Sequence, residues 1–393
     1  MSMGWILGML SLCSFTVALN QQIISPLVVD ISQEFSVSIS LVGQLVTVYA
    51  LTCALMAFVS GPFLDRMSRK TVLVVGTSGL ALTALGCALS WSFASMLVFR
   101  VLAGLSVAML QPAVFAAVGD LFDYRERGRA FSWLITTNTV APILGMPIGA
   151  LLAQQFSWRW TWVFLAILMG AVTVVNLCFF PALRRPPTPA SFGGNLLRPY
   201  LQILSNGNAR HALLAILLAA ACWFGWTTFL GAFYMQTFAL QTGQLAPIMA
   251  INGIGLLIGS NLGGRLGDRF GKKRLIILSA PLASLMLAFE TNVILGVWVA
   301  AAANMLVCFS NGARFTNMTA LVTEVAPESR GAMMALNSVA IQLGATLGSA
   351  LGGLVVAVAG YGSLGLFLEI IGLLGAASVA LGVRESTVAA KSI

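Results

Sequence analysis

Apolar runs of about twenty residues follow one another along this chain with little between them, and this pattern constrains the fold more than any motif does. A run of that length crosses a bilayer once as a helix, which satisfies its own backbone N–H and C=O groups where there is no water to do so. Twelve runs are read, near residues 4–28, 38–60, 71–90, 93–118, 130–155, 161–182, 209–238, 245–264, 274–289, 293–322, 332–358 and 362–383. The short alternating segments of a membrane barrel do not occur. Composition agrees: 59% of the 393 residues are hydrophobic and 8% are charged, against roughly a quarter charged in a soluble domain. The expected fold class is an all-α membrane protein of twelve transmembrane helices, with the lipid bilayer as its surroundings. The first run lacks a basic leader and is too long for the apolar part of a signal sequence, so it reads as a retained helix.

The formal charge of +9 is distributed like a topology signal and not like a nucleic-acid footprint. Counted from an N-terminus placed inside, the loop and tail arginines and lysines fall on one side. They are Arg66, Arg69 and Lys70, then Arg125, Arg127 and Arg129, then Arg184 to Arg210, then Arg265 to Arg274, then Arg330, Arg384 and Lys391. Arg159 alone falls on the other side. The expectation is a multi-pass protein of a plasma membrane, the inner one in a bacterium, with both termini cytoplasmic. Residues 183–208 include the Pro/Gly/Ser-rich "RRPPTPASFGG", which reads as a cytoplasmic linker. The chain then divides into an N-terminal six-helix bundle (1–182), the linker (183–208), and a C-terminal six-helix bundle with a short tail (209–393). The six cysteines all lie in apolar runs without metal-ligand spacing, and they read as small core residues. No metal and no cofactor are expected.

The halves repeat one another. "GPFLDRMSRK" at Gly61–Lys70 returns as "GRLGDRFGKK" at Gly264–Lys273, so that Asp65 and Asp268 are 203 residues apart. Arg127-Gly128 and Arg330-Gly331 share that offset, as do Leu144-Gly145-x-x-x-Gly149 and Leu347-Gly348-x-x-x-Gly352. Three blocks in one register mean a duplication in parallel orientation, an architecture that transporters use.

The two charged blocks resemble the loop signature of the major facilitator superfamily, with Phe63, Leu64 and Ser68 departing from it in the first copy. Arg100-x-x-x-Gly104 is similar to that family's fourth-span motif. "LGMPIG" with "FSWRWTWVF" resembles the twelve-helix drug:proton antiporter and sugar-efflux subgroup. The resemblance implies two parallel pseudo-symmetric six-helix bundles that work by alternating access. It also implies a cytoplasmic gate built from Gly61, Asp65, Arg66, Arg69, Gly264, Asp268, Arg269 and Lys272. For the basic members a topology anchor is an equal reading; for Asp65 and Asp268 a latch is favoured, because acids contribute little to topology. Gly145, Pro147 and Gly149 in the fifth span, Gly255, Gly259 and Gly263 in the eighth, and Gly344, Gly348 and Gly352 in the eleventh follow a small-residue spacing that permits close helix packing.

Charges inside spans are the functional signal, since an arginine at the bilayer centre costs about 3 kcal/mol on insertion scales. Arg100 and Gln111 share one face of the fourth span. Arg314 stands 203 residues after Gln111, on a tenth-span stripe with Asn304, Asn311 and Asn317. Substrate-cavity candidates are Asn20, Gln21, Arg100, Gln111, Trp223, Trp226, Tyr234, Asn311 and Arg314. Snorkelling stands beside this reading for Arg100, and ordinary packing stands beside it for the aromatics of the seventh span. Relatives in the efflux subgroup carry an acid near Asn20–Gln22, where this chain has amides. Glu369 is the embedded carboxyl and the candidate proton carrier, with a neutral acid bonded to a neighbouring helix as the other reading; Asp30, Glu34 and Glu290 read as lying at outer ends.

The reading is a monomeric secondary transporter, not an enzyme, that exports a small molecule against protons. A uniporter or anion exchanger that uses Arg314 is the alternative. A membrane sensor with a transporter fold is the alternative outside transport.

Overall fold

A computed structural model describes residues 3–181, 198–325 and 330–383, apart from side chains at 58–66, 124, 125, 142, 198, 199, 323, 330 and 331. The helices are α1 (Met3–Gln22), α2 (Val28–Phe35), α3 (Ile39–Arg66), α4 (Arg69–Ala88), α5 (Phe93–Leu121), α6 (Tyr124–Gln155) and α7 (Trp158–Phe179). They continue as α8 (Arg198–Ser205), α9 (Gly207–Phe238), α10 (Leu245–Phe270), α11 (Lys272–Asn292), α12 (Val297–Val325) and α13 (Arg330–Gly382). Ten helical stretches among the described residues are long and apolar enough to cross a membrane, and α12 is a further helix of 29 residues. The last stretch is two spans. Gly360, at φ 76° and ψ −174°, adopts a backbone that residues with a Cβ avoid, and it breaks α13 between the eleventh and twelfth crossings. This makes twelve.

Short polar turns set the helix starts. Ser38, Ser68, Ser92 and Ser157 each accept a hydrogen bond from a first-turn backbone N–H, beginning α3, α4, α5 and α7. The first crossing departs from the sequence expectation of one helix ending at 28. It stops at Gln22, passes through a 3₁₀ turn at Ser25–Leu27 and resumes as α2 to Phe35. Pro26, in the first turn of that 3₁₀ segment, has no N–H to continue α1. Part of the expected linker is also helical: α8 sets Ile203 and Tyr200 against a core that includes Ala209, Ile276 and Val379. Residues 182–197 lie outside the described part.

The described residues form two compact units. One comprises Met1–Ala190 with Thr227–Gly253, and the other Ser191–Trp226 with Ile254–Ile393. The last turns of α9 and the first turns of α10 therefore pack with the first unit. Within it Ser25 Oγ donates to the Thr227 carbonyl at 2.5 Å, and Thr242 Oγ1 reaches both Asp30 oxygens at 2.9 and 3.0 Å. Gln154 Nε2 donates to Gln241 Oε1 at 2.9 Å. Gly231 makes the approach possible: a Cβ there would overlap the Ser25 carbonyl oxygen.

The two units repeat an ion pair as well as a sequence. Arg69 Nε meets Asp120 at 2.8 Å where α4 begins and α5 ends. Lys272, 203 residues on, meets Glu324 where α11 begins and α12 nears its end. Leu82, Ile167, Leu278 and Leu381 stand on exposed helix faces, as residues facing hydrocarbon do.

Candidate functional site

In the first unit, α5 begins at the Ser92 cap and carries Arg100 two turns in, completely buried. Its Nε donates to the Leu45 carbonyl at 3.2 Å. Its Nη1 donates to the Asn20 carbonyl at 3.3 Å and to Asn20 Oδ1 at 3.0 Å. The guanidinium carbon stands 4.4 Å from the Tyr49 ring centre and 5.6 Å from that of Trp162. Arg100 is thus held by α1, α3 and α7 and does not snorkel. Gly104, one turn on, lets α5 approach α3: a Cβ there would stand 2.7 Å from the Tyr49 carbonyl oxygen. Gln111 is half-buried further along, with an Oε1 that has no hydrogen-bond partner among the described residues. Gln21 is half-buried beside Asn20.

In the second unit, Arg314 is buried and its Nη2 donates to Asn311 Oδ1 at 2.5 Å. It also hydrogen-bonds the Cys222 sulfur on α9. Gly372 on α13 stands close by, since a Cβ there would come within 3.6 Å of Arg314 Nη1. One face of α12 continues the stripe. Asn304 accepts from Trp226 Nε1 at 3.3 Å and from Cys308 at 3.7 Å. Asn317 is occupied structurally, with its amide on the Gly263 and Ala313 carbonyls at 2.8 Å each. Among the described residues no carboxylate reaches Arg100 or Arg314.

The aromatic residues of α9 are buried, but they divide. Trp223 and Trp226 belong to the second unit; Phe233 and Tyr234 belong to the first, packed edge-on at 5.2 Å. Glu369 is half-buried on α13. Glu290 stands near the end of α11, as read from the sequence, but it is fully buried there, near Cys308 of α12, so Glu369 is not the only embedded acid. Of the cysteines, Cys178 is exposed and the other five are buried. His211, given no role from sequence, pairs with Ser378 at 3.2 Å.

Of the gate residues, the side chains of Gly61, Asp65 and Arg66 lie outside the described part. Asp268 and Arg269 are exposed, and Arg269 lies over the Phe270 ring at 5.2 Å. Gly264 is half-buried. Arg69 and Lys272 are each engaged inside their own unit, by Asp120 and Glu324. The packing glycines close specific joints: Gly145 against Leu19 of α1, Gly149 against Ile23 just after α1, and Gly348 against the Ala221 carbonyl of α9. Gly352 is buried and Pro147 half-buried. Tyr49, Trp162, Asp120, Glu324 and Glu290 are the site and joint residues that sequence reasoning missed.

The family model for the Major Facilitator Superfamily matches residues 10–289 and 244–392. The uncharacterized MFS-type transporter YceJ of Bacillus subtilis (strain 168) is 28% identical over 339 residues, 86% of each chain. The chloramphenicol resistance protein CraA of Acinetobacter baumannii is 25% identical over 333 residues, 83% of this chain and 80% of that one. In fold, the chain is similar to a bacterial homolog of the human lysosomal transporter Spinster, solved in an inward-facing and unoccupied conformation. The TM-score is 0.71 at 17% identity, over 97% of this chain and 95% of that one.

Proposed function

The chain belongs to the major facilitator superfamily, a family of multi-pass membrane transporters and not of enzymes, and on that premise we propose that it exports a small molecule from the cytoplasm by alternating access, in exchange for protons. It sits in the bacterial inner membrane with both termini cytoplasmic, as its one-sided basic loops favour. It works as a monomer, with a small-molecule substrate and protons as its partners.

One observation carries the reading. In a chain with 8% charged residues, each unit buries an arginine and amides at membrane depth without using up their hydrogen-bonding capacity. Arg100 Nη2, Asn20 Nδ2, Arg314 Nε and Asn304 Nδ2 lack partners among the described residues. Polar groups of this kind are costly in a bilayer and mark transport pathways. The hydrogen bonds of Asp30 and Gln154 to the turn before α10 support a gate on the side away from the basic loops. Kinship with CraA supports a drug-sized organic substrate, chloramphenicol among the first to try. The proton carrier is Glu369 or Glu290.

The test is accumulation of chloramphenicol and of a panel of fluorescent compounds, in cells lacking their main efflux pumps, before and after the proton gradient is collapsed. Lower accumulation that the uncoupler abolishes supports the reading; accumulation unaffected by the protein refutes export of these compounds. A second reading, exchange or uniport of a polar anion, is favoured by the absence, among the described residues, of any carboxylate on either buried arginine. It predicts anion flux in vesicles without a proton gradient.

A further inference from the structure

We propose that Arg100, Asn20, Tyr49 and Trp162 form a binding site for one small monovalent anion inside the first bundle. The site shares Arg100 and Asn20 with the transport reading but does not depend on export, which the test below does not measure.

A guanidinium presents five N–H donors. Arg100 spends its Nε and Nη1 on the Leu45 carbonyl and on Asn20, while Nη2 has no partner among the described residues. Three further polar atoms share that condition, and each belongs to a residue touching Arg100: Asn20 Nδ2, Trp162 Nε1 and Tyr49 Oη. All four residues are fully buried. Arginine, amide N and indole N donate only, and the hydroxyl can donate as well. A water could accept two of these bonds, but it would leave the buried guanidinium charge without a counter-charge. A species that only accepts fits the set, and a negative charge also offsets a guanidinium that has no carboxylate near it.

Arg159, in the same unit, shows what this fold does with an arginine that needs no ligand. Its Nη1 donates to the Ala88 and Ser90 carbonyls at 2.7 and 2.8 Å, and its Nη2 meets Glu34 at 2.7 Å. The neighbouring indole, Trp158, donates to the same Glu34 at 2.5 Å. On the same helix, one turn further in, neither the Trp162 N–H nor the guanidinium over its ring has such a carboxylate among the described residues. The anion supplies the missing acceptor. The four residues, on α1, α3, α5 and α7, are all fully buried, so the anions to try are the smallest: halides and formate.

The test uses purified full-length protein in detergent, melted in sodium chloride, bromide or formate against sodium methanesulfonate at equal ionic strength. The expected result is a melting temperature that rises saturably with a small anion. A rise with the halides assigns a dissolved halide, and a rise with formate alone assigns a carboxylate. Tyr49→Phe removes one hydroxyl and little else, and should flatten the response. Bromide-soaked crystals of the unaltered protein give an independent reading, an anomalous peak in hydrogen-bond reach of Arg100 Nη2. Equal melting temperatures in all four salts overturn the proposal, and so does a response that Tyr49→Phe leaves undiminished with no bromide at Arg100.

Discussion

Gly348→Ala and Gly170→Ala are the same chemical change with opposite expected signs. A Cβ at Gly348 would overlap the carbonyl oxygen of Ala221 and crowd that residue's own backbone, so α9 and α13 must separate. No flexible side-chain tip can give way there. Overpacking of this kind costs about 1–3 kcal/mol, less up to about 1 kcal/mol regained from the better helix propensity of alanine. Because backbone stands on both sides of the clash the cost lies at the upper end, and the net expectation is a loss of about 2 kcal/mol. At Gly170, in the middle of α7, a Cβ meets nothing within 4 Å, so the propensity gain stands alone. Melting of the detergent-solubilised protein, followed by intrinsic fluorescence, should place Gly348→Ala below and Gly170→Ala at or above the parent. If both variants shift alike, or Gly348→Ala melts with the parent, close backbone packing of α9 on α13 is not what the glycine provides.

Asp120→Asn should cost about 1–3 kcal/mol, because it removes the charge from a bridge to the buried Arg69, whereas Glu324→Gln, whose partner Lys272 is more open, should cost less than about 1 kcal/mol; thermal melting compares them. Thr242→Val removes the hydroxyl held by Asp30 and should increase labelling of an engineered cysteine at Gln154 by a membrane-impermeant thiol reagent added from outside. Glu290→Gln and Glu369→Gln should separate, one making transport insensitive to an uncoupler and the other leaving that sensitivity intact, as measured by flux in proteoliposomes with and without a pH gradient.

The twelve crossings were legible because hydropathy over about twenty residues reports burial in hydrocarbon directly. The break at Gly360 was legible because a glycine falls between two complete runs. The interruption at Pro26 was not, since the segment around it stays apolar and hydropathy does not register a missing N–H. The duplication was legible as three blocks at one offset, and each copy of the charged block supplies the cation of a bridge, Arg69–Asp120 and Lys272–Glu324. Helical spacing placed Arg100 on a face with Gln111, but spacing gives direction around one helix and nothing about its neighbours. Tyr49 and Trp162, which cover Arg100 from α3 and α7, were therefore invisible. Glu290 was set at an outer end because it lies near the end of a run. Height along a helix does not reveal what packs over it, and here α12 and α13 cover it.

The central claim is energised export, and it is tested most directly by flux in sealed vesicles. Inverted membrane vesicles containing this protein, loaded with protons by respiration, should accumulate chloramphenicol or a member of the fluorescent panel, and lose it when an uncoupler is added. Vesicles with the protein that take up none of these compounds beyond the level of vesicles without it, or that take them up equally after the gradient is gone, would contradict proton-driven export.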